Sequence, residues 1–522
     1  MPAQPSRNLA CFRRLIIAAA ALPLQTLAAT PPTEDWTYKP ATTQKRAGSL
    51  SLSWETLDMP AAAETMGLMG FGMRLKDGPR YAGIKGFGAL TGERGGFFTG
   101  GAELGLEWPL SSSLALDAGL FLGGGGGGVA PQGGGLMLRP HLGIVWKGDT
   151  VHVGIEASKV KFPNGDIDSD QVALTLAVPF GFTHGEGGEL GRRVAASPSD
   201  GTTIHRYALT MSRYLASSGA RTTGTAPQAD FTTLGMEFRR HLGERGYWLL
   251  NAAGAASGTS DGYAEVFGGL GLSGRLGDSR LGWDVNAQVG GGGGGAVDTG
   301  GGAMARIRAG LRLGLTRDVA LGLSLGHAQA LDGSFQGSEI GMQLGIGVES
   351  GTFGGYRHAD PGATMELVGW RWRLGNQTLL SPARKNGSTD QVNLIGAKAD
   401  LLSGEHLYLS GQALGAYQGG AGGYAAGLVG LGWRQPLLSR DNHVFAEILT
   451  GAAGGGGIAV GGGGQVQAMI GMERSIGDNL TLLVSLGRLH PLSGTEGTTV
   501  VDISLGYRFS TPGRRLPAAA SP

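Results

Sequence analysis

An acid and an arginine recur at one spacing around two glycine-rich stretches. Asp117 lies six residues before the first stretch, and Arg139 lies four residues after it. Asp284 and Arg306 hold the same two offsets around the second stretch. Because both members carry full charges, the pattern predicts either an inward ion pair that satisfies buried charge or part of a charged lining that selects ions.

Basic residues continue along the segments that follow the glycines. His141 and Arg308 each come two residues after the recurring arginine, which keeps them on its face if these segments are strands. One interpretation is a basic stripe that selects anionic solutes, as charged rings do in pores. Its members are Arg139, His141, Arg306, Arg308 and Arg312. A third glycine stretch departs from this pattern, since Glu447, Gln467 and Glu473 lie near it at other offsets.

Patterns for catalysis, a metal or a cofactor are weak or missing. The glycine stretches look superficially like phosphate loops, but no Gly-Lys-Ser/Thr follows them. Gly269, Gly271 and Gly274 fit GxGxxG, yet they lie in a strand pattern. The ten histidines are scattered and form no HExxH motif. We therefore predict no catalytic residue, no metal site and no cofactor, and a protein that is not an enzyme.

The glycine-rich stretch occurs three times, about 165 residues apart. A fixed period indicates that one structural unit is reused. The runs within the three copies begin or end at Gly123, Gly128, Gly133, Gly290, Gly295, Gly300, Gly454 and Gly461. Each copy is interpreted as a permissive hairpin tip or strand end. The sharper hypothesis is that the three tips converge at an outer mouth or pack against a glycan or peptide.

Composition excludes several classes of protein. Glycine makes up 100 of the 522 residues, charged residues make up 16%, and the formal net charge is +1. Nucleic acid is not an expected partner, because the chain has no basic excess. No segment after the N-terminal leader has 18 unbroken apolar residues, so no transmembrane helix is expected.

The N-terminus predicts export. A region with three arginines precedes an apolar run, and small residues allow cleavage after Ala28. Residues 1–28 are therefore predicted to be a secretory signal peptide, and residues 29–48 an exposed lead-in. The single cysteine, Cys11, would leave with the peptide. The mature chain would then have no disulfide and no cysteine-ligated zinc.

From Ser49 onward, apolar residues alternate with polar or small ones. In the segment 114–122, leucine or alanine stands at every even position, and Asp117 is among the odd ones. Alternation over about ten residues predicts strands that can cross a bilayer when tilted. We predict about eight strands in each of three units. The units are 49–183, 204–348 and 363–509, with linkers at 184–203 and 349–362 and a tail at 510–522.

The connections between predicted strands alternate between short and long. Short turns such as 76–78 and 147–149 contrast with longer segments such as 216–229 and 376–390. Transmembrane barrels have short periplasmic turns and longer extracellular loops. The pattern therefore predicts an all-β transmembrane antiparallel barrel whose glycine-rich connections face outside.

The last predicted strand has the clearest alternation. Val501, Ile503, Leu505, Tyr507 and Phe509 alternate with polar residues or glycine. Here the chain resembles Gram-negative outer-membrane β-barrel proteins, whose final strand commonly ends in an aromatic residue that the assembly machinery reads. The tail after Phe509 departs from that pattern, in which the aromatic residue is usually terminal. The resemblance implies an outer-membrane location, contact with outer-membrane lipid, and the outer-membrane assembly machinery as a partner.

Two architectures and three functions stay open. The strands could form one barrel of about 24 strands, which is slightly preferred, or three barrels of eight strands each. The leading functional hypothesis is a pore or translocation channel for an unidentified solute or secreted polymer. The alternative is a closed structural or surface-interaction barrel without a conducting lumen. The third is a membrane-embedded lipid-modifying enzyme.

Overall fold

The computed structural model describes residues 42–60, 64–187, 191–195, 201–219, 221–223, 226–277, 279–316, 318–357, 364–402, 404, 406–437, 439–494 and 496–515. The predicted signal peptide, with Cys11, lies outside these described residues. Strands joined by turns and loops make up the described chain. No helix among the described residues is long and apolar enough to cross a membrane.

The strands form three successive groups, numbered here in chain order. The first group is β1 Gln44–Asp58, β2 Thr65–Asp77, β3 Arg80–Thr91, β4 Phe98–Pro109, β5 Leu114–Gly126, β6 Met137–Lys147, β7 His152–Lys161 and β8 Asp168–Glu186. A short strand, β9 Arg193–Ala195, follows it. The second group is β10 Thr203–Ser218, β11 Phe231–His241, β12 Gly246–Ser257, β13 Ala264–Arg275, β14 Leu281–Gly293, β15 Ala303–Gly314, β16 Val319–Ala330 and β17 Gln336–Ser350. The third group is β18 Thr364–Leu379, β19 Val392–Leu402, β20 Leu407–Gln418, β21 Ala425–Leu437, β22 Ser439–Gly454, β23 Gly464–Ile476, β24 Leu480–Pro491 and β25 Thr498–Arg515.

Strand pairing decides between the two predicted architectures. A total of 24 long strands would also fit one wide barrel, but that barrel would pair β1 with β25. Instead β1 pairs antiparallel with β8 over eleven residue pairs. In the same way β10 pairs with β17 over fifteen residue pairs, and β18 pairs with β25 over fourteen. The slight preference for a single wide barrel is therefore corrected, because the chain closes three eight-stranded barrels.

Each barrel has an apolar outer wall and a largely polar interior. Leu104, Leu270 and Leu325 point outward and keep 62%, 65% and 67% of their surface accessible. Arg139 and Arg371 point inward and are fully buried. An apolar exterior with a polar interior is the arrangement of membrane-spanning barrels. Closing the sheet also pairs its backbone groups within the protein, which a lipid environment requires.

The three barrels pack side by side through equivalent strands. The fifth strand of each barrel contacts the third strand of another: β5 lies on β20, β14 on β3, and β22 on β12. These contacts form a closed ring of three interfaces within one chain. The glycine-rich ends of the fifth strands lie at these interfaces.

A second set of contacts joins the barrels at the opposite end, where the short turns lie. The end of β25 pairs with β8 through Phe509 and Glu186, and with β17 through Arg514 and Glu349. The ring of Phe182 in the first barrel lies 5.6 Å from that of Phe509 in the third. The last strand therefore contacts both other barrels.

Several strand limits differ from the predicted boundaries. β1 begins at Gln44, inside the predicted lead-in, and β25 continues to Arg515, beyond the predicted limit at 509. The predicted linker 184–203 contains the end of β8 and all of β9, and β17 extends to Ser350. The extension of β1 pairs with β8 of its own barrel. The ends of β8, β17 and β25, and the short strand β9, pair with other barrels, so local alternation could not reveal them.

Candidate functional site

The middle of the first barrel is crossed by a network of buried ion pairs. Arg139 of β6 binds Glu55 of β1 at 2.9 Å and Glu156 of β7 at 3.1 Å. Arg74 of β2 binds Glu103 of β4 at 2.7 Å. A buried charge is tolerated when it is paired and hydrogen-bonded. The two guanidinium groups supply the buried carboxylates with both a counter-charge and hydrogen-bond donors.

Asp117 belongs to the same network but does not pair with Arg139. Its carboxylate accepts hydrogen bonds from Arg74 at 2.9 Å and from the hydroxyl of Tyr81 at 2.9 Å. His141 lies with Nε2 2.9 Å from the same carboxylate. The acid of the glycine hairpin is therefore bound to the second and third strands and to His141.

The second barrel holds a similar network around Arg306. This guanidinium donates to Glu265 at 2.8 Å, to the Tyr214 hydroxyl at 3.2 Å and to Gln288 at 2.6 Å. Arg306 keeps only 1% of its surface accessible, so water is nearly excluded from it.

The neighbouring residues of the second barrel extend this network toward the short turns. Arg308 binds Glu339 of β17 and lies 3.5 Å from Glu237. Asp284 lies 3.3 Å from Arg239 of β11. The recurring acid and arginine are again bound to different partners.

Strand geometry explains why the recurring acid and arginine do not meet. In the β5–β6 ladder Asp117 lies opposite Gly143, whereas Arg139 lies opposite Phe121. Four residues along a strand separate the two rows by roughly 13 Å. The prediction of an ion pair within the hairpin is therefore corrected, although both side chains point inward.

Arg312 lies beside a small cavity near the short-turn end of the second barrel. The cavity measures about 30 Å³ and is lined by Arg206, Arg239, Arg312, Asp284 and Glu237, among others. A space of this size holds one or two waters or a small ion. Of the predicted basic stripe, Arg312 is the member that borders this space.

The third barrel builds its network from its first strand. Arg371 of β18 binds Asp400 at 2.7 Å and also binds Glu473 of β23. Arg373, two residues on, binds Asp400 at 2.8 Å and Glu447 at 2.7 Å. Gln467 occupies the position that Arg139 and Arg306 hold in the other two barrels. The guanidinium groups of the third barrel come from β18 instead.

Sequence reasoning missed most of the partners in these networks. They stand at inward positions of other strands, so the period of two could have identified them as inward but not as partners. The missed charged residues include Glu55, Arg74, Lys85, Glu103, Arg206, Glu237, Arg239, Glu265, Glu339, Arg371, Arg373, Asp400, and the pair Lys398 and Asp502.

An apolar layer closes each interior at the glycine-rich end. Phe87, Phe97 and Phe121 belong to this layer in the first barrel. Phe231 and Phe267 belong to it in the second. In the third it comprises Leu379, Val392, Leu394, Leu414, Tyr424, Leu428, Leu449, Ile458, Val460, Met469, Leu489 and Val500, with four alanines. Each described interior is thus filled by two layers, one apolar and one of ion pairs.

The glycine stretches contact the neighbouring barrels. A Cβ atom built on Gly124 would lie 2.6 Å from the carbonyl oxygen of Gly415 in the third barrel. One built on Gly454 would lie 2.4 Å from the amide nitrogen of Gly262 in the second. Backbones can approach this closely only where neither residue has a side chain.

Backbone hydrogen bonds cross the same interfaces. The Gly95 amide of the first barrel donates to the Gly300 carbonyl of the second at 2.9 Å. The Gly422 amide of the third barrel donates to the Gly133 carbonyl of the first at 3.2 Å. The glycine tips therefore converge, but on the backbone of adjacent barrels.

The remaining predicted glycines pack within their own barrels. Gly128 and Gly295 approach backbone oxygens of their own third-to-fourth-strand loops. Gly461 approaches Ser493, and Gly123 and Gly290 approach backbone oxygens of the adjacent fourth strands.

Arrangements for catalysis or metal binding are not evident in the described part of the chain. No group of three or more histidine, cysteine, aspartate or glutamate side chains there is placed to hold a metal ion. Gly322, Ser324 and Gly326 have the spacing of a hydrolase nucleophile elbow, but they lie within β16. That motif functions at a sharp strand-to-helix turn, which this position lacks.

Comparisons with known proteins do not assign the chain to a family. No protein-family model matches it, and no curated protein matches it. Among solved structures, it is similar to the ferric enterobactin receptor PfeA of Pseudomonas aeruginosa, with 12% identity, 90% of this chain and 82% of that chain covered, and a TM-score of 0.26. It is similar to OpdQ of the same organism, with 9% identity, 90% and 98% coverage, and a TM-score of 0.21. It is also similar to the siderophore receptor PirA of Acinetobacter baumannii, with 10% identity, 90% and 81% coverage, and a TM-score of 0.27.

At such identities and TM-scores these similarities carry no argument about this chain. Its all-β barrel class rests on its own strand pairing.

Proposed function

We propose that the chain is an integral protein of the Gram-negative outer membrane with a closed structural or surface-interaction role. The observation that supports this most directly is the filling of all three interiors by buried charged side chains. Arg139, Arg306 and Arg371 keep 0%, 1% and 0% of their surface accessible. A conducting barrel needs a continuous polar path that ions can enter and leave, whereas eight strands leave room for little more than side chains.

The proposed orientation follows from the connections. The short turns would face the periplasm and the glycine-rich stretches would face outside, as in other transmembrane barrels. The connections at the glycine-rich end are mostly longer than the short turns but still compact: residues 331–335 connect β16 and β17, and residues 380–391 connect β18 and β19. We therefore propose a compact outer face, built from the three joined barrel ends, as the surface available to partners.

Outer-membrane assembly machinery is proposed as a partner in biogenesis. The support is the alternating final strand β25, which ends its apolar row at Tyr507 and Phe509. Phe509 packs against Trp372 with ring centroids 5.4 Å apart, so any recognition of this residue would precede folding.

Planar-bilayer recording of the refolded full-length protein tests the closed-barrel proposal. We expect a current no different from that of a protein-free membrane, while a general porin prepared in the same way gives discrete steps. Heat-dependent electrophoretic mobility of the same sample would verify folding. Ohmic steps from folded protein would contradict the proposal.

A second candidate, an anion-selective path through the second barrel, is favoured by the arginine-lined cavity. Arg206, Arg239 and Arg312 border it together with two carboxylates. If steps were recorded, this candidate predicts a reversal potential that favours chloride in a salt gradient. It also predicts a weaker preference in Arg312→Gln. An unchanged reversal potential in that variant would count against the second barrel as the path.

A further inference from the structure

A basic residue stands at the same lipid-facing position on the seventh strand of every barrel. Lys159 of β7, His327 of β16 and Arg488 of β24 each precede an inward residue of the apolar layer. Those inward residues are Val160, Ala328 and Leu489, which keep 0%, 0% and 3% of their surface accessible. The shared neighbour shows that the three basic residues occupy equivalent heights on their barrels.

This position is the outer end of an apolar row. On the same face, two residues earlier, lie Leu325 and Leu486 in the second and third barrels, with 67% and 54% of their surface accessible. A second polar residue follows two positions later on each strand: Lys161, Gln329 and His490. The row thus changes from apolar to basic toward the glycine-rich end, as expected where hydrocarbon meets headgroups.

The eighth strand supplies a polar neighbour at each of these positions. Arg488 lies opposite Thr499 and donates to its hydroxyl at 3.3 Å and to the Gly497 carbonyl at 3.1 Å. His327 lies opposite Ser338. In the third barrel both described acceptors are neutral, so they orient the guanidinium without neutralising its charge.

The first barrel differs because acids lie beside its basic residues. Lys159 binds Asp168 and lies 3.3 Å from Asp170. Lys161 lies 3.3 Å from Asp168. These pairs are largely exposed, so they are weak, but the carboxylates compete with any anion that approaches.

We infer that these three rim positions bind the phosphate groups of lipid headgroups in the outer leaflet. The inference rests on the proposed membrane location and orientation. Lysine and arginine form charge-assisted hydrogen bonds to phosphate oxygens, and their long stems can lie along the apolar wall while the charge stays at the interface. We expect the third barrel to bind most strongly and the first most weakly, for the reasons given above.

Binding of lipid A to the full-length protein in nanodiscs tests the inference. The probes are diphosphoryl lipid A and the same lipid without its phosphates, with inorganic phosphate as a third arm. Arg488→Gln should lower the affinity for diphosphoryl lipid A about fivefold, the effect of one cation near a charged membrane surface. Lys159→Gln, His327→Gln and Arg488→Gln combined should lower it further.

Arg474→Gln is the matched control, because Arg474 is an exposed arginine at the short-turn end of the same barrel. It should leave the affinity unchanged within about twofold, because its partner Leu482 lies six residues along β24 from Arg488, beyond the range of a charge screened by salt. The inference would be overturned by an equal loss of affinity in Arg488→Gln and Arg474→Gln, by equal binding of lipid A with and without its phosphates, or by full competition from inorganic phosphate. Wild-type protein that does not insert at all would overturn the membrane proposal with it, whereas insertion with equal lipid binding would overturn the inference alone.

Discussion

Buried guanidinium groups are the residues that hold each barrel interior together. Arg371 lies between Asp400 and Glu473, with its guanidinium carbon 5.0 Å from the centre of the Tyr408 ring. Arginine suits this place because its planar fork binds two carboxylates at once and stacks on an aromatic face. Lysine, a point charge, would satisfy fewer of these groups.

Replacing Arg371 with methionine should destabilise the protein strongly. The substitution leaves Glu473 buried without its main counter-charge, and breaking a buried pair in this way costs about 3–5 kcal/mol. Urea unfolding in lipid vesicles, followed by tryptophan fluorescence, would measure the free energy of unfolding.

A control variant and a double variant show whether that loss comes from the unpaired carboxylate. Arg474→Gln, at an exposed position of the third barrel, should change the free energy of unfolding by less than about 0.5 kcal/mol. Arg371→Met combined with Glu473→Met should recover part of the loss, because no unpaired carboxylate then stays buried at that position. A loss in Arg371→Met no larger than that of the control would contradict the structural role of this network.

At the scale of strands, the glycine stretches allow barrels to touch through their backbones. Gly100 of β4 and Gly124 of β5 are direct partners in one ladder. A Cβ on Gly124 would meet the third barrel, whereas one on Gly100 would meet nothing within 4 Å. These two positions separate the effect of inter-barrel packing from the effect of losing a glycine in a strand.

Gly124→Ala should therefore destabilise the protein, and Gly100→Ala should not. The added methyl group forces β5 and β20 apart, and overpacking of this kind costs about 1–3 kcal/mol. Thermal unfolding of both variants in the same detergent would measure the difference in stability. Gly415→Ala, on the opposite side of the contact, should repeat the loss. Equal stability of Gly124→Ala and Gly100→Ala would argue against close packing at this interface.

At the scale of the whole molecule, closure of each barrel determines what can pass through it. Ser51 of β1 and Ala177 of β8 are partners in the ladder that closes the first barrel. One barrel of about 24 strands would instead bring β1 next to β25. The way in which the strands close therefore decides whether the protein has three narrow, filled interiors or one wide lumen.

Engineered disulfides can distinguish these two closures. Ser51→Cys with Ala177→Cys should form a disulfide, because partners in an antiparallel ladder have Cα atoms about 4.5–5.5 Å apart. Ser51→Cys with Ser504→Cys, which joins β1 to the inward face of β25, should not. Non-reducing electrophoresis of the folded protein would report each crosslink, and the only cysteine in the natural sequence, Cys11, lies in the predicted leader. A crosslink in the second pair without one in the first would indicate the single wide barrel.

The sequence by itself determined the strands and their faces. Alternation such as Val501 to Phe509 is local, because a strand places successive side chains on opposite faces whatever its neighbours are. The period of the glycine stretches also marked the equivalent place in three units. Fold class and the inward direction of Asp117 and Arg139 could be predicted for this reason.

Only the tertiary structure decided which residues meet. Arg139 binds Glu55, 84 positions away, because closing β1 onto β8 brings distant strands around one interior. The glycine stretches meet other barrels for a similar reason, since Gly124 and Gly415 come from the first and third barrels. A period of two gives the face of a residue but not its partner across a barrel, and only closure and packing supply that partner.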